Sequence, residues 1–163
     1  MKKLIILIAI ALFSGTMHAQ ASAIPGAHVA TPPQPVATAF STRFPGARLK
    51  KWYQTPDRFI AQFKLNGKKL FADFGTDGSW QKTQTAIHWS WNLPEKVRNG
   101  WRHCDFAAWY LADIKLVETP DGRLYALHVN NSPIVGAEHA EIDHSEYELF
   151  FNENGELVRK FER

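Results

Sequence analysis

Between Arg48 and Ile87 apolar and polar residues follow the period of a strand. The runs "RLKKWYQT", "RFIAQFKL", "KLFADF" and "SWQKTQTAI" are β-rich or alternating, and Asp57, Asn66-Gly67 and Asp77-Gly78 separate them. Short polar breaks with glycine between such runs predict hairpins. Upstream, Val36, Ala39, Phe40 and Phe44 recur at helical spacing until Pro45-Gly46 stops the run, which predicts one short amphipathic helix. The first half therefore reads as a helix followed by four antiparallel strands.

The second half echoes this order. "LPEKVRNGWRHCDF" places Val97, Trp101 and Cys104 on one helical face. "TPD" at Thr55 returns at Thr119, and "FGTDGSW" at Phe74 returns as "FNENGEL" at Phe151. Matching order along the chain points to duplication. The echo also decides the meaning of Asp77-Gly78. A calcium loop needs oxygen ligands at several alternate positions and a closing bidentate acid. "DFGTDGSWQKTQ" lacks them, and its counterpart replaces the acid with Asn154. A hairpin turn is expected, because glycine accepts positive φ and a short Asp side chain bonds the nearby backbone.

Strand parity sorts the side chains. Phe59, Ala61, Phe63 and Leu65 share one face with Leu70, Ala72 and Phe74; Tyr125, Leu127, Val129, Tyr147, Leu149 and Phe151 repeat the pattern. These rows should pack on the helices. Trp52 aligns with Leu116 and belongs to the core. The opposite face then carries Ile60, Gln62, Lys64, Phe71, Leu124, His128 and Phe150. Phe71 and Phe150 occupy neighbouring pairing positions in their two hairpins, which predicts a shared apolar patch and a candidate interaction surface.

With these motifs in place a resemblance can be stated. Phe44-Pro45-Gly46-Ala47, Trp52, Phe59, Ala61, Phe63, Ala72, Phe74, Gly78 and Trp80 look like the pattern of the PepSY-like family, small exported bacterial proteins also described as β-lactamase-inhibitor-like. The resemblance spans Pro35 to Phe161. It implies an α+β fold: two repeats of a helix plus a four-stranded antiparallel sheet, joined into one curved sheet with helices on one face. The repeats would cover residues 35–91 and 92–163. The segment "NNSPIVGAEHAEIDH" departs from the pattern, standing where the first half has the tight Asn66-Gly67 turn. The matching positions are core and turn residues, so the resemblance brings no catalytic residues with it.

The start of the chain predicts export. Lys2 and Lys3 precede a ten-residue apolar run, Leu4 to Phe13, and small residues follow at Ala19, Ala21 and Ala23. That is the layout of a secretory signal peptide, here residues 1–21. A membrane span needs about 20 apolar residues, so none is expected in the mature chain. Residues 22–34, rich in proline, form a lead-in. Without Lys2 and Lys3, 17 basic residues (19 − 2) stand against 16 acidic ones. A near-neutral chain has no electrostatic footprint for nucleic acid. The lone Cys104 forbids an internal disulfide. A periplasmic or secreted location follows.

Candidate chemistry is sparse. No nucleophile elbow, zincin helix motif or phosphate loop occurs in the mature chain. His103 and Cys104 are adjacent in a predicted helix, so their side chains diverge and cannot share a proton. Glu138, His139, Glu141, Asp143 and His144 have types that could bind zinc, but a solvated acidic hairpin tip is the stronger reading, and no metal or cofactor is expected. Trp89 and Trp91, at alternate positions in "AIHWSWNLP", either pack at the seam or form a platform for a partner. The expectation is a non-catalytic exported binding module for an unidentified protein or peptide. Its partner-binding residues would be Phe71, Phe150, Ile60, His128, Trp89 and Trp91. A small-ligand or metal-binding sensor component is the rival.

Overall fold

The computed structural model describes residues 26–131 and 145–163. The expected signal peptide and the acidic segment from Glu138 to His144 lie outside the described residues.

Among the described residues nine strands form one antiparallel sheet in strict chain order: β1 (Ala27–Val29), β2 (Arg48–Gln54), β3 (Arg58–Leu65), β4 (Lys68–Gly75), β5 (Trp80–Ala86), β6 (Tyr110–Thr119), β7 (Gly122–Asn130), β8 (Glu146–Asn152) and β9 (Leu157–Glu162). Two short α-helices among the described residues accompany it, α1 (Gln34–Arg43, ten residues) and α2 (Glu95–Arg102, eight residues).

This corrects the expected pair of helix-plus-four-strand repeats. The meander does not break at its middle, because β5 pairs with β6 from Thr83 opposite Glu118 to Ala86 opposite Lys115. The proline-rich lead-in also contributes a ninth strand, β1, which pairs with β2 from Ala27 opposite Gln54 to Val29 opposite Trp52. Sheet dominates the chain, and the helices are minor elements laid on it. The physical reason is local: antiparallel strands joined by short turns add one at a time, and nothing at Ala86–Lys115 stops the ladder from continuing.

Turns fix the register. Asn66 (φ 51°) and Gly67 (φ 78°) both lie in the left-handed region, the requirement of the two-residue turn that matches strand twist. At Asp77-Gly78 the Asp77 carboxylate accepts hydrogen bonds from the Ser79 N–H (2.9 Å) and Ser79 hydroxyl (2.7 Å). These bonds hold the Asp77 carboxyl below the usual carboxylate range. Its donors come from its own turn, as a hairpin requires.

The core has two centres. Beneath α1, Val36 and Phe40 pack on Trp52, Phe59, Ala61, Phe63, Ala72 and Phe74. Near α2, Leu93, Val97 and Phe106 pack on Ile114, Tyr125, Leu127, Val129, Leu149 and Phe151. Strand parity anticipates these rows, and Trp52 is buried with them. The second helix is shorter than the sequence suggests. It ends at Arg102, so Cys104 lies in the following turns and still packs against the second core.

Candidate binding site

Each helix covers its own stretch of one sheet face, and the other face carries the predicted row. Ile60 stands on it opposite Tyr53 and Asp73, but it is only 4% exposed and offers little contact area. Phe71 lies on β4 and Phe150 on β8. Three strands separate them, so they stand roughly 19 Å apart at the usual strand spacing of about 4.8 Å. They do not form the direct patch expected of them. Register places polar and buried positions between them: Phe71 opposite Gln84, then Val117 opposite Leu124, and Ala126 opposite Phe150, with Val117 and Ala126 buried. Phe150 meets Phe161 of β9 edge to face, ring centres 5.8 Å apart.

Charge is built into the same face. The Asp73 carboxylate is buried, 3.5 Å from both Arg58 Nε and Lys82 Nζ. Burial pushes its carboxyl above the usual range, and Lys82 and Arg58 offset this only in part. Further along, His128 Nε2 lies 3.1 Å from Glu146 Oε2. His128 is also the register partner of Asp113 on β6.

Asp113 also borders a concavity. A cleft of about 740 Å³ is lined by His88, Trp89, Trp91, Trp101, Trp109 and Tyr110, with Asp113 and neighbouring backbone. Trp89 and Trp91 stack in parallel, centroids 4.8 Å apart and planes 6° apart. They are 57% and 63% exposed, so they do not pack at a seam. The local chain explains the geometry. Trp89 is extended, and a 3-10 turn at Ser90–Asn92 follows, closed by Asn92 N–H donating to the Trp89 carbonyl at 3.0 Å. Arg98 of α2 donates to the carbonyls of Trp91 (3.2 Å) and Leu93 (3.5 Å), and buried Leu93 anchors the turn to the core. The platform is therefore held from beneath before anything binds.

Trp89 and Trp91 come together through the Ser90–Asn92 turn rather than through the extended chain that parity assumes, and parity misses the rest of the cleft. Trp101, Trp109 and Tyr110 fall outside any alternating run. Their signal is aromatic density in "WRHCDFAAWY", three large rings that a short helix and its turns cannot all bury. Tyr110 is exposed, and Trp101 Nε1 is enclosed without a hydrogen-bond partner. Such a cleft can stack flat groups and exclude water, while Asp113 and His88 supply polar contacts at its wall. Among the described residues no group of three or more His, Cys, Asp or Glu side chains is placed to hold a metal ion. Among them, too, no helix is long and apolar enough to cross a membrane.

Solved structures resemble this arrangement. A BLIP-like protein from Bacteroides fragilis matches with a TM-score of 0.68 at 21% identity, over 82% of this chain and 88% of its own. A DUF2874 family protein from Bacteroides ovatus matches with a TM-score of 0.68 at 25% identity, over 81% of this chain and 88% of its own. A Bacteroides eggerthii protein provisionally assigned to the periplasm matches with a TM-score of 0.65 at 22% identity, over 81% and 89%. The fold is BLIP-like. No family model matches the chain, and no curated protein matches it. The β-lactamase-inhibitor-like half of the expected resemblance thus has structural counterparts; the PepSY-like name and the duplication do not gain support from them.

Proposed function

We propose that the protein is an exported, non-catalytic binding module that engages a protein or peptide through the Trp89–Trp91 cleft and the adjoining open sheet face. The observation that carries this reading is the stacked, exposed Trp89–Trp91 pair, held by Arg98 at the mouth of an aromatic cleft. Exposed tryptophans on a rigid base lose little freedom on binding and dominate interface energetics. Phe71, Leu124, His128 and Phe150, all half-buried, contribute the flanking surface, and buried Ile60, Val117 and Ala126 add little contact area to it. Export is supported by the sequence at the chain's start and by the resemblance to a protein provisionally assigned to the periplasm. Inhibition of a hydrolase is the narrower form of the reading, resting on BLIP-like fold likeness.

The test uses the mature chain as bait against native envelope and culture medium, with Trp89→Ser/Trp91→Ser and Phe71→Ser/Phe150→Ser as controls. A specific protein retained by wild type and lost with the tryptophan pair, at unchanged thermal stability, supports the reading. Retention that ignores both pairs overturns the assignment of the surface. A partner of hydrolase type then allows inhibition to be assayed with the same variants.

A further inference from the structure

We propose that the outer edge of β9 is a self-association surface, on which β9 of a second copy pairs antiparallel about a two-fold axis at Phe161. This goes beyond the partner-binding reading and does not depend on it.

Among the described residues, β9 pairs only with β8. All six of its residues are exposed, including Leu157, Val158 and Phe161, the last at 49%. An unpaired edge with apolar side chains is a template for another strand. Which groups point outward follows from one bond. The Arg163 N–H donates to the Glu146 carbonyl at 2.9 Å. Bonded and non-bonded pairs alternate along an antiparallel ladder, so Phe161 and Arg159 also turn their backbone groups toward β8. Lys160 and Glu162 turn theirs outward.

Placing Phe161 opposite Phe161 of a second copy sets Lys160 opposite Glu162 on both sides of the axis. Those are the residues with free outward N–H and C=O groups, so they become the hydrogen-bonded pairs. Phe161 becomes the non-bonded pair, where side chains come closest. Side-chain direction agrees. Lys160 and Glu162 lie opposite Leu149 and Tyr147, on the helix-bearing face, whereas Phe161 lies opposite Glu148 on the open face. Opposite charges therefore meet on one side of the joined sheet and aromatic rings on the other. Lys160 is already directed toward its side, its ammonium 5.3 Å from the Phe106 ring centre and 5.6 Å from that of Tyr147.

The neighbouring registers fail. Sliding by one residue per strand places Lys160 opposite Lys160 or Glu162 opposite Glu162, and like charges directly opposed are destabilising. In the favoured register Arg159 faces Arg163 at each end; Arg163 Nε sits 3.9 Å from Glu148, which offsets the repulsion. A lysine normally blunts an edge strand. Here it selects one partner strand, its own copy. A pairing of five residues, 159–163, buries less than the standard interface of about 1,600 Å², so association should depend on concentration in the micromolar range or above.

Sedimentation velocity of the mature chain from about 1 to about 500 μM tests this, with Lys160→Glu, Glu162→Lys and Phe161→Ser made singly and their melting checked. The wild type should dimerise as concentration rises, and each variant should stay monomeric. An equal mixture of Lys160→Glu and Glu162→Lys should form a heterodimer, because each restores the opposite charge to the other. A wild type that stays monomeric throughout overturns the proposal. So does a dimer that survives the single charge changes, or a mixture that fails to associate.

Discussion

The backbone carbonyl of Gly155 occupies the space where a side chain on Gly100 would stand. Helix α2 and the turn between β8 and β9 approach there backbone to backbone, and Gly155, at φ 84°, in turn lies against the Lys96 carbonyl. The turn between β4 and β5 meets α1 in a similar way, with Gly78 against the Pro35 carbonyl. Neither helix could rest on the sheet at this distance with a methyl group between them.

Gly100→Ala should therefore destabilise the fold, although alanine is the better helix former. Overpacking against backbone costs roughly 1–3 kcal/mol or more, well beyond the helical gain of about 1 kcal/mol. Gly67→Asn is the comparison. Its position has positive φ with open space around it, and asparagine tolerates that region. Urea unfolding should show a large loss for the first variant and a loss under about 1 kcal/mol for the second.

Phe40 and Trp91 separate folding from binding. Phe40 touches the rings of Phe44, Trp52, Phe63 and Phe74, with centroids between 5.1 and 6.3 Å. Phe40→Ala should cost about 3–5 kcal/mol. Trp91→Ala removes a larger side chain that is mostly exposed, so it should change stability by about 0.5 kcal/mol or less plus the stacking contribution of about 1 kcal/mol. Thermal melts of the two variants side by side check the contrast.

Asp73 predicts a pH dependence. Its folded carboxyl lies above the ordinary value of 3.8 because of burial. A raised folded pKa means that the native state holds its proton longer than the unfolded chain. Stability then falls as pH rises from the ordinary value through the raised one, and the penalty persists above it. Asp73→Asn should accordingly be more stable than wild type near neutral pH. The difference should shrink toward zero as the pH falls to about 3, where both forms are uncharged. Arg58 and Lys82, each about a third exposed in their side chains, can turn to water in the variant. Denaturation midpoints across this range supply the check.

Much of the sheet is legible in the sequence because its rules are local. Parity places Phe59, Ala61, Phe63 and their counterparts on the core face, and Asn66-Gly67, Asp77-Gly78 and Asn154-Gly155 mark three of the tight turns, with Thr55-Pro56-Asp57 marking another. What fails is the count and the continuity. Ala27–Val29 lies among prolines and small residues and carries no alternation, so β1 is visible only once β2 offers an edge. The repeats expected over 35–91 and 92–163 meet in the Ser90–Asn92 turn, yet Ala86 and Lys115 continue the ladder across it. Distances across the sheet are equally invisible to parity. It identifies Phe71 and Phe150 as residues of one face but cannot say that three strands intervene. For the cleft, Trp89 and Trp91 are recognisable, whereas Tyr110 and Asp113 join them only through the start of β6.

The order of the nine strands has a kinetic consequence. Every strand finds its partner in the segment just before or after it, so most closures span a short turn and cost little chain entropy. For a sheet-rich protein this is a low contact order, and folding should be quick for its class. Three joins stand apart: residues 30–47 between β1 and β2, the stretch from Ile87 to Trp109 before β6, and residues 131–145 between β7 and β8. Closing these longer joins carries the larger entropic cost, so β1–β2, β5–β6 and β7–β8 are where the folding chain would pause.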